Sequence, residues 1–306
     1  MSRCLSTQLC PRAVSHSAGS VGHTRQQRPT FFRPCPRRRG GLTDGRRGMD
    51  DCIVLDTTAL TPLQQVGKFL VKRDDLFEIA GVRGGKARTC WAMAQGAPGL
   101  VTASTRTSPQ ANIVAHVAKA LGVPCRVHVP KGKLESELEA AQASGAVVIQ
   151  HSPGHRSVIN CRARDDARAL GWKVIPFGME CTEAVQQTAA QAYSTVAQMC
   201  NQGAKARRVV VPVGSGMSLA GILHGLTQAA FTVPVVGVVV GACPVKHLDK
   251  WAPHWRNRCQ LVRTGIDFHK RARDVRLGDI ELDPVFEAKC LPFLQPGDLF
   301  WIVGKR

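Results

Sequence analysis

Short apolar segments alternate with alanine-rich, helix-like segments along most of this chain, and the alternation limits the folds it can adopt. Strands are predicted at residues 100–102, 125–129, 146–149, 172–176, 208–212, 234–240 and 298–303. Helices are predicted between them, at residues 110–121, 135–144, 158–170 and 183–202. Strands that are apolar throughout and separated by helices are typical of parallel sheets covered on both faces. The sequence therefore predicts an α/β protein with parallel sheets.

The first 48 residues differ from the rest of the chain. They contain ten arginines and one acidic residue, are rich in serine, proline and glycine, and show neither a helical nor a strand period. We predict that this segment is disordered. Three interpretations compete: a nucleic-acid-binding arm, a transit peptide, or translated upstream sequence with the true start of the protein at Met49. We prefer the third. The remaining length suits two lobes, a larger one from residues 49–95 and 172–306 and a smaller one from residues 96–171.

Charge and cysteine content restrict the partners and the compartment. The formal net charge is +19, and the chain after residue 48 is also basic, which favours an anionic partner, although a merely basic solvated surface is an equal alternative. No apolar run is long enough to span a membrane. The twelve cysteines form no Cys-x-x-Cys pair and no zinc-module spacing. We therefore expect a soluble cytoplasmic protein, in the host cytoplasm if it is viral, with reduced thiols and no metal.

Two glycine-rich elements carry the candidate chemistry. Lys86 follows Gly84 and Gly85, a pair that we expect to let the backbone approach a ligand closely. Residues 214–218 follow a predicted strand and precede a helix near Leu219, an arrangement that aims backbone N–H groups at a phosphate. An amine that can form a Schiff base, together with a phosphate site, is what pyridoxal phosphate requires. Each element alone has an ordinary structural explanation, as a solvated loop lysine or a strand-to-helix turn.

The order of these elements resembles the fold type II pyridoxal-phosphate enzymes, particularly the branch of D-cysteine desulfhydrase and 1-aminocyclopropane-1-carboxylate deaminase. The resemblance covers most of residues 65–304 and rests on Lys86, a Ser/Thr/Gln loop at residues 102–110, the loop at residues 214–218 and the segment at residues 283–289. It implies a tryptophan synthase β-like fold with two doubly wound lobes. It also implies pyridoxal 5′-phosphate as cofactor, and members of this fold are commonly homodimers.

The resemblance further implies roles for individual residues. Lys86, Ser108 and Glu287 are the predicted catalytic residues, with Ser108 beside the lysine and Glu287 against the pyridine nitrogen. Thr105 and Gln110 are further candidates in the substrate loop. The predicted cofactor-binding residues are Lys86, Gly214, Ser215, Gly216, Met217, Ser218 and Glu287.

Three departures from the family pattern bear on the substrate. Phe286 replaces the tyrosine that the deaminase uses at its substrate, which argues against cyclopropane ring opening. The asparagine that usually separates the glycine pair from the lysine is missing. The family's Ser-Asn-His loop is here Ser108, Pro109 and Gln110.

The Ser-Pro-Gln loop and the basic composition also look like phage pyridoxal-phosphate enzymes of thymidine hypermodification. That resemblance implies a lyase that decarboxylates a glycyl or seryl unit attached to thymidine in phage DNA, with modified DNA or a nucleotide as partner. The alternatives are a small-molecule D-cysteine desulfhydrase or amino acid deaminase, and an inactive nucleic-acid-binding relative. The candidate phosphate contacts are Lys72, Arg73, Arg83, Arg88, Arg106 and the basic cluster at residues 270–276.

Overall fold

The computed structural model describes residues 59–152 and 155–305, so the predicted disorder of residues 1–48 lies outside the described residues. The strands of this part are β1 (Leu63–Val66), β2 (Phe69–Arg73), β3 (Glu78–Ile79), β4 (Val82–Arg83), β5 (Leu100–Ala103), β6 (Cys125–Pro130), β7 (Val147–His151), β8 (Lys173–Ile175), β9 (Arg208–Val213), β10 (Val235–Val239), β11 (Cys259–Arg263), β12 (Arg276–Leu277), β13 (Ile280–Glu281) and β14 (Asp298–Ile302). The α-helices are α1 (Gly85–Ala94), α2 (Gln110–Ala120), α3 (Ser136–Ala143), α4 (Arg156–Leu170), α5 (Thr182–Asn201), α6 (Met217–Gln228) and α7 (Val245–Trp251).

The predicted α/β class with parallel sheets is confirmed. Six strands form the larger sheet in the order β1-β2-β14-β9-β10-β11, and four form the smaller sheet in the order β7-β6-β5-β8. All pairs in these two sheets are parallel except β1 with β2, which form an antiparallel hairpin at the edge of the larger sheet. The predicted strands and helices are all present, with ends that differ by no more than two residues. Alternating apolar and helical segments were a reliable signal because both faces of each sheet are covered.

The pairing of the strands bears on the predicted lobes. The division placed every residue after 171 in the larger lobe, but β8 pairs with β5 in the smaller sheet. This pairing places residues 173–175 with the smaller lobe, because a strand belongs to the sheet that satisfies its backbone hydrogen bonds. The remainder of the division stays a prediction. No helix within the described residues has the length and apolar character that crossing a bilayer requires.

Strand β2 was not predicted, because two of its five residues are charged. Lys72 is fully buried, and its Nζ donates a hydrogen bond to the carbonyl oxygen of Thr61. Burial lowers the pKa of the Lys72 amine to about 8, against the attraction of Asp74. A sequence pattern counts such a lysine as a surface residue, whereas here its charge is compensated inside the protein.

A chain of hydrogen bonds joins two histidines on the smaller sheet. Arg162 donates to Nδ1 of His151 at 2.9 Å, so the hydrogen of a neutral His151 sits on Nε2, which lies 2.9 Å from Nδ1 of His128. Nε2 of His128 then lies 2.8 Å from a carboxylate oxygen of Asp166. Partial burial, followed by the charges of His128 and Arg162, lowers the pKa of His151. The chain of hydrogen bonds therefore requires His151 to be neutral.

We expect the free energy of unfolding to fall as the pH drops through about 6.5, the ordinary histidine pKa. Below that pH the unfolded chain binds a proton at His151 more readily than the folded chain does. Urea unfolding at pH 7.5 and pH 5.5 measures the effect, with His151→Gln as the comparison. If His151→Gln loses as much stability between the two pH values as the original chain, His151 is not the group responsible.

Candidate active site

A cavity of about 500 Å³ lies where the loops after both sheets meet. Its walls include residues that follow the carboxyl ends of β5, β8, β9, β10 and β14. Ligands of open α/β sheets bind at this end of the strands, and the volume is in the range of small-molecule sites. The cavity lining includes these predicted site residues: Lys86, Thr105, Ser108, Gln110, Gly214, Ser215, Gly216, Ser218 and Glu287. Their chemical roles stay predictions, but the fold brings them to one place.

Lys86 lies in the first turn of α1, and the glycine pair before it positions the turn. Gly84 is the N-cap residue, with φ of 93°, and a Cβ atom there would lie 2.9 Å from both Cα of Gly304 and the carbonyl oxygen of Val303. The N–H of Gly85 donates to that same Val303 carbonyl at 3.2 Å. The expectation that the pair approaches a ligand is therefore wrong for Gly84. It approaches the backbone that follows β14, and this contact fixes Lys86 relative to the larger sheet.

We expect Gly84→Ala to destabilise the protein by about 3 kcal/mol, because it combines a positive φ with an unavoidable backbone clash. Gly122→Ala is the matched control, since Gly122 also has a positive φ, of 68°, but no atom within 4 Å of the added methyl group. Its cost should be about 1 kcal/mol, the strain alone. Urea unfolding measures both variants. Equal losses for the two would show that the contact with residues 303–304 contributes nothing.

The loop at residues 214–218 connects β9 to α6. Gly216 is the N-cap of α6 in a left-handed conformation, with φ of 94°, so the first N–H groups of the helix point out of its amino end. The carbonyl of Ser215 accepts a hydrogen bond from Nδ1 of His247 at 2.8 Å, and the Ser215 hydroxyl donates to the carbonyl of Gly178 at 3.3 Å. Met217 does not line the cavity, because its side chain packs in the hydrophobic core. Only its backbone is placed to serve a phosphate.

Glu287 is a buried carboxyl at the cavity wall. The residue begins a short 3-10 helix, Glu287–Phe293, and its Oε1 accepts a hydrogen bond from the N–H of Gly304 at 3.3 Å. Burial raises the pKa of Glu287 well above its ordinary value, and the nearby Asp283 carboxylate raises it further. A buried carboxyl of this kind holds a proton or a positively charged group. It can therefore bind a protonated ring nitrogen in the cavity.

Gln110 contacts the cavity but does not offer its side chain to a substrate. Its amide nitrogen donates to Thr102 Oγ1 and to the carbonyl of Pro176, both at 2.9 Å. Its amide oxygen accepts the N–H of Gly178 at 2.7 Å. The predicted substrate-loop residue therefore ties the segment after β8 to the smaller sheet. Ser108 and Thr105 remain half-buried at the cavity wall.

Phe268, His247 and Arg156 line the cavity but were not predicted from the sequence, whereas Phe286 was placed at the substrate by the family resemblance. Phe268 and Phe286 meet edge to face, with ring centroids 5.8 Å apart, and form an apolar wall. His247 supports the loop at residues 214–218 from α7, and Arg156 stacks on Phe177 with 5.1 Å between the guanidinium carbon and the ring centroid. These residues lie outside the glycine-rich motifs. Only the packing of distant segments brings them together, so no local signal marks Phe268, His247 or Arg156.

Three of the predicted phosphate contacts are wrong. Lys72 and Arg88 are buried, and Arg88 lies 3.5 Å from the carboxylate of Asp74. Arg73 is bonded to Asp75 at 2.8 Å. Lys72 and Arg88 cannot reach a nucleic acid because they are buried, and Arg73 is largely buried in its ion pair. Arg83 is exposed and lines the cavity, although it also forms an ion pair with Glu78 at 2.6 Å.

The comparison with protein families decides what kind of cavity this is. Residues 54–277, well over half of the chain, match the model of the family described as pyridoxal-phosphate dependent enzyme. The chain belongs to the pyridoxal-phosphate-dependent enzyme family. Its cofactor is accordingly pyridoxal 5′-phosphate, as the sequence predicted. The expectation of the tryptophan synthase β-like fold type II architecture is likewise confirmed.

Similar proteins include biosynthetic threonine dehydratases. The enzyme of Corynebacterium glutamicum is 29% identical over 196 residues, which cover 59% of this chain and 44% of that protein. The Salmonella typhimurium enzyme is 28% identical over 243 residues, covering 74% of this chain and 44% of that protein. The chain thus spans less than half the length of these curated relatives.

Among solved structures, an ACC deaminase homologue has a TM-score of 0.68 at 22% identity, with 80% of this chain and 89% of that chain covered. A threonine deaminase from T.th. has a TM-score of 0.62 at 17% identity, with 80% and 92% covered.

The residues of the cavity fit this cofactor. Lys86 would supply an amine for the aldehyde carbon, and the amino end of α6 with the Ser218 hydroxyl would supply donors for the phosphate. Glu287 supplies a buried carboxyl whose raised pKa marks it as a partner for a ring nitrogen. All three groups open onto one cavity, as a single bound molecule requires.

Proposed function

We propose that the protein is a pyridoxal-phosphate-dependent lyase that breaks a bond at the α-carbon of an amino acid unit. The reaction that we favour removes the carboxylate of a glycyl or seryl unit attached to thymidine in phage DNA. The observation that carries the lyase assignment is the convergence of Lys86, the loop at residues 214–218 and Glu287 on one cavity. Family membership supports the same conclusion.

The protein's own groups have separate tasks in this reaction. When bound, pyridoxal phosphate supplies an electron sink for the bond that breaks at the α-carbon. Lys86 Nζ is the group that we assign to moving the proton at that carbon, and Glu287 holds the proton of the ring nitrogen. The amino end of α6 holds the phosphate. Phe268 and Phe286 exclude water from one wall, which strengthens the electrostatic effects inside the cavity.

Two features of the substrate loop support loss of the carboxylate over its retention. Pro109 lines the cavity but has no N–H group, and the Gln110 side chain is bonded to Thr102, Pro176 and Gly178. The donors that the loop still offers are the neutral hydroxyls of Thr105, Thr107 and Ser108, which hold a carboxylate less tightly than a charged group would. Strong hydrogen bonds to that group would stabilise the ground state and oppose its departure. Arg156 and His269 at the cavity wall suit a polyanionic substrate.

A small-molecule deaminase or desulfhydrase is the second candidate. It is favoured by the similarity to the L-threonine dehydratases of two bacteria, whose names describe a reaction on a free amino acid. Ring opening of the cyclopropane substrate is not part of this proposal, because Phe286 lacks a phenolic hydroxyl. A homodimer stays a prediction.

Product analysis with the cofactor-loaded protein separates the two candidates. DNA that carries glycyl- or seryl-modified thymidine, L-threonine and D-cysteine are offered separately, and carbon dioxide and 2-oxo acids are measured. We expect carbon dioxide from the modified DNA. A 2-oxo acid from a free amino acid, with no carbon dioxide from DNA, would contradict the decarboxylase and favour the deaminase. Lys86→Ala is the blank for both assays.

A further inference from the structure

A second cavity, of about 380 Å³, lies beside the first one. It is bounded by α4 of the smaller lobe on one side, and on the other by α7 and the segment after β8. Arg156, Phe177 and His247 line both cavities, so the two adjoin along these three side chains. One ligand can therefore extend from the first cavity into the second.

The α4 side of the second cavity is basic. Arg156, Asn160 and Arg164 are spaced four residues apart and lie along one face of the helix. Neither arginine has an acidic partner within ion-pair distance among the described residues. The α4 side of the cavity therefore presents two guanidinium groups that have no acidic partner among the described residues.

The opposite side of the cavity carries one acidic residue, and its charge is already compensated. Glu180 accepts a hydrogen bond from Lys250 at 2.8 Å and one from the Trp251 ring at 3.3 Å, and His247 lies 3.4 Å away. Burial would raise the pKa of Glu180, but the bonds from Lys250 and Trp251, with His247, hold it below its ordinary value. The two arginines of α4 thus remain available for an anion.

We propose that the second cavity binds a phosphate group of the substrate while the amino acid unit of the same molecule occupies the first cavity. The guanidinium groups of Arg156 and Arg164 suit a phosphate, because their planar donors match its oxygens. This inference rests on the proposed function in that it requires the amino acid unit to be carried by a nucleotide.

Binding to the cofactor-loaded protein tests the proposal, because the cofactor's own phosphate then fills the loop at residues 214–218. Thymidine 5′-monophosphate and thymidine are titrated separately by calorimetry. We expect the nucleotide to bind about tenfold more tightly than the nucleoside, the effect of one charge-assisted contact. Arg164→Gln should remove most of this preference and leave thymidine binding unchanged, because Arg164 is assigned to the phosphate, which thymidine lacks.

Arg168→Gln is the matched control on the same helix. Arg168 is exposed, is bonded to Asp165 at 3.0 Å and lines neither cavity, so its replacement should keep the preference. Equal affinities for nucleotide and nucleoside, or an intact preference in Arg164→Gln, would overturn the proposal. Inorganic phosphate that binds while the nucleotide gains nothing over thymidine would overturn it as well. The lyase assignment is judged separately by the product assays, so either conclusion can fail alone.

Discussion

Replacing Lys86 with alanine is expected to lower turnover by roughly 10³- to 10⁴-fold on any amino acid substrate of the protein. Two amines among the described residues line the cavity with the phosphate loop and Glu287, Lys86 and Lys305, and Lys86 is the one that follows the glycine pair at the start of α1. In the proposed function, this one side chain both attaches the cofactor and moves the α-proton, so its loss removes both tasks. Initial rates with saturating cofactor measure the effect.

Two matched variants show whether the loss is specific. Lys86→Arg keeps the positive charge but cannot take the lysine's place as a nucleophile, so it should be as inactive as the alanine variant. Lys119→Ala removes an exposed lysine at the end of α2 and should retain full activity. Turnover by Lys86→Ala within tenfold of the original protein would mean that another group performs this chemistry.

Replacing Glu287 with glutamine is expected to lower turnover by about 10²-fold, while the cofactor still binds through Lys86 and the loop at residues 214–218. A neutral amide keeps the shape of the side chain and an oxygen for the Gly304 N–H. It cannot hold a proton on the ring nitrogen as a carboxylate does. Steady-state rates and cofactor content, measured on the same samples, separate chemistry from binding.

The pH dependence of the stability of the cofactor-free protein is an independent test of the raised pKa of Glu287. Because the folded-state pKa is raised, the folded chain binds a proton above pH 4.5, and stability is lost as the pH rises towards the folded-state pKa. Glu287→Gln lacks this loss, so at pH 8 it should unfold at a urea concentration no lower than the original chain. Glu139→Gln, at an exposed position on α3, should change neither rate nor stability. Full activity in Glu287→Gln would remove this carboxyl from the mechanism.

Much of the fold followed from the sequence, because period and composition report burial directly. Apolar strands between helices predicted both sheets, and the order of Lys86, Ser108, the loop at residues 214–218 and Glu287 predicted which residues share a cavity. Strand β2 was not predicted because its Lys72 is buried, whereas a search for apolar strands treats a lysine as an exposed residue.

The tasks of several residues could not be predicted, because they depend on contacts between distant segments. Gln110 is a polar residue in the substrate loop and could be expected to contact a substrate. Its amide oxygen instead accepts a hydrogen bond from the N–H of Gly178. Gly84 faces residues 303–304 and not a ligand, and only the packing of α1 against the end of β14 shows this. His247 and Arg156 belong to helices without a sequence motif. Their place in the site is known only from the two cavities that they line.

Mapping the covalent attachment of the cofactor tests the central claim most directly. The purified protein is loaded with pyridoxal phosphate, reduced with borohydride, digested and analysed by mass spectrometry. We predict a single modified lysine, Lys86, and no modification in Lys86→Arg. A cofactor fixed to another lysine, or a protein that takes up no cofactor while correctly folded, would contradict the assignment of this cavity as the active site.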